Sequence, residues 1–343
     1  YGAVGNGNLA RPKAYNPDLK WETTTTYNTG LDWGLFNQRI TGSFDWYYRN
    51  TTDLINMAYV SAGSNFRNQV ISNIGSLSNT GFEAAIKWIA IDKKDWNWVL
   101  DYNFTYNYNK ITALTSSNDP NFNVPTGGIS SGTGLQCQAQ HVGTAANSFY
   151  VYQQAYDKNG NAIEGVVVDR NGDGKITEAD KYYHKSPVAP ITMGFSSRFE
   201  YKNWDFGFTL RASIGNYVFN DLMAGSANLS PAAIYTNSAY MTNRPVSNLK
   251  YNWQTYDETS TLSDRWVQNA SFLKCDNITL GYSFNKLFNT GDWKGLSGRI
   301  YGTASNVFTI TKYSGIDPEV FGGIDNSVYP RPISFILGLN LNF

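Results

Sequence analysis

The fold of this 343-residue chain is decided by a stretch in which apolar and polar residues alternate. It reads Trp96-Asn97-Trp98-Val99-Leu100-Asp101-Tyr102-Asn103-Phe104-Thr105-Tyr106-Asn107-Tyr108-Asn109. Successive side chains of an extended strand point to opposite faces, so a period of two collects every aromatic residue of this stretch on one face. The stretch therefore predicts a strand far longer than the roughly five or six residues that are usual in soluble proteins.

The same alternation recurs along the whole chain. It is found at residues 39–50, 80–91, 204–214, 276–284 and 333–343. No long segment carries apolar residues at the spacing of three or four that a helix requires. The sequence therefore predicts an all-β chain.

The connections between these stripes alternate in length. Short ones fall at residues 36–38, 92–95, 202–203 and, more loosely, 286–296, and long ones at 54–79, 110–189, 216–269 and 310–331. This alternation is typical of an antiparallel transmembrane β-barrel with tight periplasmic turns and large extracellular loops. A secreted β-sandwich or propeller is the alternative, and the long stripes speak against it.

Aromatic residues are placed as a membrane barrel requires. Five Trp lie near short turns, and a second aromatic group lies about ten residues further along: Trp33, Trp88, Trp96, Trp98 and Trp204, then Trp46, Tyr48, Tyr106 and Tyr108. Ten residues of a strand tilted by about 45° rise roughly 23 Å, close to the height of a barrel's apolar band. The opposite faces carry Asn, Thr and charged residues, which predicts a polar, wet lumen.

The composition argues against a nucleic-acid partner, a transmembrane helix and a disulfide scaffold. The 27 basic and 27 acidic residues cancel, so no charge excess points to nucleic acid. No apolar run is long enough for a transmembrane helix. Two cysteines, Cys137 and Cys275, are too few for a disulfide scaffold. They could form a single disulfide, but two separate buried thiols are the favoured alternative.

The direction of the strands follows if the short turns are periplasmic. The last of nine strands then descends to a periplasmic C-terminus at Phe343. Single-chain bacterial barrels have even numbers of strands. We therefore expect residues 1–343 to be the C-terminal part of one larger barrel domain.

The sharpest local motif lies in the long connection at 110–189. Residues 169–180 read Asp-Arg-Asn-Gly-Asp-Gly-Lys-Ile-Thr-Glu-Ala-Asp, which fits a calcium loop. The expected ligands are the side chains of Asp169, Asn171, Asp173 and Asp180, the carbonyl of Lys175, and Thr177 through a water. Asp180 stands where such loops usually carry a bidentate Glu, which should weaken binding. A polar turn without metal is the alternative.

Signals for catalysis are poor. Residues 128–132, Gly-Ile-Ser-Ser-Gly, match a nucleophile elbow but lie in a Gly/Ser-rich loop, and only His141 and His184 could act as a base. We therefore expect no enzyme. Loop aromatics are the better candidates for contact with a ligand or partner: Tyr235, Tyr240, Trp253, Tyr256 and Trp266.

Several stretches also resemble a known family. They are residues 16–22 (Asn-Pro-Asp-Leu-Lys-Trp-Glu), 27–36, 79–83, 270–273, 277–282 and the final strand closing on Phe343. As a set they resemble the SusC-like (RagA-like) TonB-dependent transporters of Bacteroidota. The resemblance implies a 22-stranded outer-membrane barrel, a plug domain and a TonB box outside this chain, and a SusD-like surface lipoprotein that acts as a lid.

The resemblance implies TonB-dependent import of a large nutrient, either an oligosaccharide or a peptide. Two other hypotheses stay open: a barrel subunit of an assembly or secretion complex that carries no nutrient, and a secreted carbohydrate-binding β-protein. Calcium, outer-membrane lipid and the SusD-like lipoprotein are the expected ligands and partners, and nucleic acid is not expected.

Overall fold

We describe the fold from a computed structural model of the chain. The structure describes residues 14–59, 63–67, 69–114, 122–226, 257–285, 295–326 and 329–342. Most described residues belong to long antiparallel strands, as the alternation predicts.

Nine strands form one antiparallel sheet. In sheet order they are β1 (Thr23–Leu35), β2 (Ile40–Tyr59), β3 (Gln69–Lys93), β4 (Trp96–Ala113), β11 (Ile191–Tyr201), β12 (Trp204–Ile214), β15 (Phe272–Phe284), β16 (Ser297–Thr311) and β17 (Ser334–Asn342). Each strand pairs with its neighbour in this order, as expected of an up-and-down sheet. The number of strands and their antiparallel order confirm the prediction.

The register confirms the assignment of the two faces. Phe44 in β2 and Phe104 in β4 lie directly opposite Ala84 in β3, and the ring of Phe82, two residues before Ala84 on the same face, stacks on both, with centroids 5.9 and 5.5 Å apart. On the last strand Phe335 and Leu337 are 81% and 80% exposed. Large apolar side chains so exposed need an apolar solvent, and a lipid bilayer supplies one.

The prediction of a long connection at residues 54–79 is largely wrong. Strands β2 and β3 continue through most of it, pairing as far as Tyr59 and Gln69. A bulge interrupts the pairing beside Asp53, whose φ is +59°. Beyond that bulge the apolar alternation is weak, because the strands no longer need one apolar face once they leave the hydrocarbon, so the sequence pattern loses them.

The segment before β1 is fixed on this long hairpin. The backbone N–H of Lys20 donates to Asn73 Oδ1 at 2.9 Å, and Asn73 Nδ2 donates back to the Lys20 carbonyl at 2.8 Å. The Lys20 ammonium lies 3.0 Å from Asp53, and Glu22 accepts the N–H of Ile55. Hydrogen bonds and one ion pair therefore bind the Asn-Pro-Asp-Leu-Lys-Trp-Glu stretch to β2 and β3.

The long connections contain structure that the alternation did not predict. Those after β4, β12 and β16 form one small folded unit, which we call the cap: residues 122–190, 215–226, 257–271, 312–326 and 329–333 of the described chain. Its elements are β5 (Asn123–Gly128), β6 (Gln136–His141), β7 (Ser148–Val151), β8 (Gln154–Tyr156), β9 (Ala162–Val167), β10 (Tyr182–Tyr183), β13 (Tyr217–Phe219), β14 (Val267–Asn269), α1 (Asp221–Ser226) and α2 (Glu258–Thr261), with 3₁₀ turns at Glu178–Asp180, Asp264–Trp266 and Phe321–Gly323.

The cap has the largest hydrophobic core of the described residues. Its members come from two of the three connections, and Ile324 of the third packs against them: Ile129, Cys137, Phe149, Val151, Tyr152, Val167, Phe219, Met223, Ala224, Leu262, Trp266 and Val267. Phe149 and Phe219 are completely buried. The cap therefore holds itself together as a soluble protein does, by burying apolar surface.

Both cysteines are buried and unpaired. Cys137 belongs to the cap core and Cys275 to β15, and neither forms a disulfide. The interpretation as two buried thiols is confirmed. In the part of the chain that the structure describes, no helix has the length and hydrophobicity needed to cross a membrane.

Candidate functional site

The polar face of strands β2 to β4 carries four charged side chains that form no ion pairs in the described sheet. Asp45 in β2 lies directly opposite Glu83 in β3, and Asp101 in β4 lies opposite Lys87. Within the described residues none of these four side chains forms an ion pair, in contrast to the charged side chains of β12, β15 and β16. Like charges placed opposite each other repel, so this wall suits a wet or positively charged lumen content.

On the same polar face of β12, β15 and β16, every long charged side chain is paired. Arg299 Nε donates to Asp205 Oδ1 at 2.8 Å across the strand between them. Gly281 stands under this pair, and a Cβ there would come within 2.5 Å of both Arg299 Nη2 and Asp205 Oδ1. The absent side chain lets the ion pair lie flat, so the polar wall stays smooth.

A network of six charged residues fixes the last connection on the sheet. Its members are Arg211 (β12), Lys274 and Asp276 (β15), and Asp317, Glu319 and Arg331 (between β16 and β17). The Lys274 ammonium lies 2.8 Å from Asp317 and 3.1 Å from Glu319. Three cations face three carboxylates, so the network is neutral, as buried charges require.

Glu319 is the centre of this network. It accepts hydrogen bonds from Arg211, Lys274 and Arg331. Burial alone would raise the pKa of Glu319, but the hydrogen bonds from Arg211 and Lys274 outweigh it and lower the pKa to about 2. The connection after β16 is therefore anchored by charge at any ordinary pH.

The residues of the calcium motif form a compact loop whose donors bond to its own backbone. Asp169 accepts the N–H groups of Gly172 and Gly174, and Asn171 and Asp173 each accept the N–H two residues further on. These bonds give the backbone path that a calcium loop needs, with Gly172 and Gly174 at positive φ.

The end of this loop is built into the cap. Asp180 is completely buried and accepts the N–H groups of Thr177, Arg170 and Asn171. The bond from Thr177, with the others, holds the pKa of Asp180 below its usual range. The next residue, Lys181, pairs with Glu258 at 2.7 Å, which ties the loop to the start of α2.

The fit of a metal to this loop is incomplete. No group of three or more His, Cys, Asp or Glu side chains gathers to hold an ion in the described ranges. The carbonyl of Lys175 and the side chain of Thr177 add two of the expected donors, but Thr177 Oγ accepts the N–H of Ala179. The types of the donor atoms and the path of the backbone agree with a calcium site. The carboxylates, however, accept hydrogen bonds from backbone amides and do not converge on one point.

The nucleophile-like motif at residues 128–132 has a structural explanation. Ser130 donates its hydroxyl to Asp221 at 2.6 Å, and the N–H groups of Ser130 and Ser131 also bond to Asp221. His184 bonds through Nδ1 to the hydroxyl of Tyr182, at 2.7 Å. Ser130 therefore joins two connections of the cap.

The prediction that aromatic residues of the loops contact a ligand or partner has a mixed outcome. Tyr235, Tyr240, Trp253 and Tyr256 lie outside the described residues. Trp266 is 3% exposed and donates its ring N–H to the Ser260 carbonyl, so it is a core residue and the prediction of a ligand contact is wrong for it. Two aromatics that the sequence did not single out, Phe321 and Tyr329, are almost fully exposed.

Comparison with known proteins agrees with the architecture. Residues 1–216 match the family described as TonB dependent receptor-like, beta-barrel. The chain is 50% identical to the TonB-dependent receptor SusC of Bacteroides thetaiotaomicron over 97% of its own length and 33% of that protein. It is 31% identical to the TonB-dependent receptor P3 of Formosa agariphila, over 96% of its length and 35% of that receptor.

A solved structure has the same fold. The chain superimposes on the RagAB peptide transporter with a TM-score of 0.75 and 26% identity, covering 98% of this chain and 37% of that one. The chain thus spans about a third of the length of the curated relatives it matches. The relatives are named as receptors and a transporter rather than as enzymes, and they imply an outer-membrane β-barrel. By this match the chain belongs to the family of TonB-dependent receptor-like β-barrels.

Proposed function

We propose that this chain is part of the wall of an outer-membrane importer for oligosaccharides or peptides, driven through TonB. The observation that carries the proposal is the sheet with an apolar outer face and a charged, smooth inner face, combined with 50% identity to a TonB-dependent receptor. An inner face of this kind lets a polar solute pass. A structural subunit would need no wet interior.

We extend the proposal to the rest of the barrel. Within the described sheet β1 pairs only with β2, and β17 only with β16. Open sheet edges are not stable in a bilayer, because their N–H and C=O groups lack partners. The chain would therefore be the C-terminal part of a larger barrel, with the short turns and the end of β17 on the periplasmic side and the cap outside.

The proposed partner is a SusD-like lipoprotein that lies over the cap as a lid. The cap supports this, because a folded unit with a core presents a fixed surface, whereas flexible loops would not. The solved structure that this chain resembles is named as the RagAB peptide transporter.

The test is uptake by cells that carry the full-length protein. Fluorescent oligosaccharides and fluorescent peptides should be offered separately, with and without a protonophore. Import of one class that stops with the protonophore would support the proposal. Absence of uptake of both classes, with the protein present in the outer membrane, would favour the assembly-subunit alternative, and release into the medium would favour a secreted protein.

We also propose that the loop at residues 169–180 binds Ca²⁺. Asp169, Asn171, Asp173 and Asp180 would supply side chains, Lys175 its carbonyl and Thr177 a water-mediated contact. The bound ion would stiffen the loop and, through Asp180 and Lys181, the contact with α2. Its affinity would be that of an extracellular site, with a dissociation constant on the order of 10⁻⁴–10⁻³ M.

Calorimetric titration of the full-length protein with calcium tests this second proposal. The Asp173→Asn variant removes one charge from an exposed donor, and Asp157→Asn removes one from a turn of the cap outside the loop, as the matched control. Binding that is lost only in Asp173→Asn would support the site. Equal binding by both variants and the parent would favour the polar-turn alternative.

A further inference from the structure

The lipid-facing side of the sheet has a groove of about 260 Å³ where one side chain is missing. Gly302 in β16 forms its floor, and a Cβ at this position would have no heavy atom within 4 Å. The residues directly opposite Gly302 are Leu280 and Leu337, which are 50% and 80% exposed. The groove is therefore apolar and open towards the bilayer.

One end of the groove lies at the rim of the sheet. Trp204 and Tyr282 line that end, with ring centroids 4.8 Å apart. Trp204 is the first residue after a two-residue turn, whereas Leu337 lies five residues before the end of β17 at Asn342. Because the strands of a membrane barrel are tilted by about 35–45°, the groove runs from the interface at Trp204 into the hydrocarbon at Leu337.

A cation stands at the interface beside this end. Lys202 lies in the turn between Tyr201 and Trp204, and its ammonium is 5.3 Å from the centroid of the Tyr201 ring. From Tyr201 to Tyr282 is two strand spacings, about 10 Å. Within the described residues Lys202 forms no ion pair with a carboxylate, so its charge is available to an anion.

A second cation extends the positive rim. Lys93 lies directly opposite Trp96, whose ring centroid is 4.1 Å from that of Tyr201. Within the described part of the sheet Lys93 has no carboxylate partner either. Aromatic rings at the interface with lysines beside them are the setting in which proteins contact lipid headgroups.

From these observations we propose that this surface holds one phospholipid. Its phosphate lies against Lys202, its glycerol region against Trp204 and Tyr282, and one acyl chain in the groove over Gly302. The proposal rests on the proposed function only because the sheet must span a bilayer. A second copy of the chain fits less well, since it would need about 1,000 Å² of contact and would leave Lys202 without an anion.

The experiment is native mass spectrometry of the full-length protein, extracted in detergent and offered phosphatidylglycerol or diacylglycerol with the same acyl chains. The parent should retain one phosphatidylglycerol and little diacylglycerol. Gly302→Leu fills the groove and should lose the retained lipid. Lys202→Asn keeps a residue that tolerates the positive φ of +52° and should lose the preference for phosphatidylglycerol over diacylglycerol.

Each variant has a matched control on the same face. Ala304→Leu adds similar bulk two residues further along β16 and should keep the lipid. Lys110→Asn removes a lysine at the opposite rim of β4 and should keep the preference for phosphatidylglycerol.

The proposal is overturned if Gly302→Leu retains as much lipid as the parent, or if it changes the oligomeric state in place of the lipid count. It is equally overturned if inorganic phosphate displaces the phosphatidylglycerol, since the site would then be one for a free anion. A parent that needs no detergent for extraction would defeat the proposed function itself. Normal import together with an unresponsive lipid count would defeat only the lipid site.

Discussion

The nine-stranded sheet and the cap direct their large apolar side chains in opposite ways. In the sheet the large apolar side chains point outward, and Phe335 is 81% exposed. In the cap they point inward, and Phe149 is completely buried. The difference shows that the solvent, lipid for the one and water for the other, decides where an apolar residue is stable.

The two regions also treat charge differently. The inner wall of β1–β4 leaves Asp45 and Glu83 opposite each other, facing water. Where the connection after β16 joins the sheet, Lys274 is nearly buried and its charge is balanced by Asp317 and Glu319. Asp45 and Glu83 can stay unpaired because water reaches them, whereas Lys274 and Asp317 must be paired because the cap excludes water there.

The largest effect should come from the cap core. Phe149→Ala removes a fully buried ring, and we expect the cap to lose about 3–5 kcal/mol. Phe335→Ala, which truncates an equally large side chain on the lipid face, should change the cap by nearly nothing. Hydrogen exchange of the cap amides measures both. Equal exchange in the two variants would contradict the contrast between the regions.

The ion network should respond almost as strongly. Lys274→Met removes the buried cation beside Asp317 and leaves only the half-exposed Arg331, 3.3 Å away, and we expect a cost of about 3–5 kcal/mol to the anchored connection. The double variant with Asp317→Leu removes the stranded charge and should recover much of that loss. Protease sensitivity of residues 312–326 is the measurement. A double variant as sensitive as Lys274→Met would show that the network acts through something other than charge balance.

A charge on the lipid face should cost somewhat less. Leu339→Arg places a charge on the lipid face three residues before the end of β17; such a charge costs about 2–4 kcal/mol at the midplane and less towards the interface, so we expect about 2 kcal/mol. The next residue, Asn340, lies on the inner face opposite Arg299, so Asn340→Arg should cost only the roughly 0.2–1 kcal/mol of two like charges in opposed positions. Equilibrium unfolding of the full-length protein in urea, refolded into lipid vesicles, compares the two. Similar costs would refute the assignment of the faces.

The smallest effect concerns pH. The pKa of Glu319 is lowered to about 2 in the folded chain from an ordinary value of 4.5. A carboxyl with a lowered pKa stabilises the folded state above its unfolded pKa and loses that contribution as pH falls through the folded pKa. The anchored connection should therefore weaken between about pH 4.5 and 2. Hydrogen exchange of residues 312–326, corrected for its intrinsic pH dependence, should rise in that window and not above it.

The sequence by itself determined the sheet. Alternation with a period of two is a local property, so it predicts six of the nine strands and their lipid-facing sides without knowledge of the rest of the chain, and the alternating lengths of the connections imply the other three, β1, β11 and β16. It failed at the far ends of β2 and β3, where the strands leave the hydrocarbon and no longer need an apolar face.

Only the tertiary structure decided the cap, the ion network and the groove. The cap core joins Phe149 to Phe219 and Leu262, and the network joins Arg211 to Glu319, across distances in sequence that no periodicity reports. The calcium motif could be predicted from the sequence because its donors lie within twelve consecutive residues. The direction in which its carboxylates point could not be predicted. A local pattern can specify which face of a strand meets lipid, whereas a core or a charge network depends on which distant segments meet.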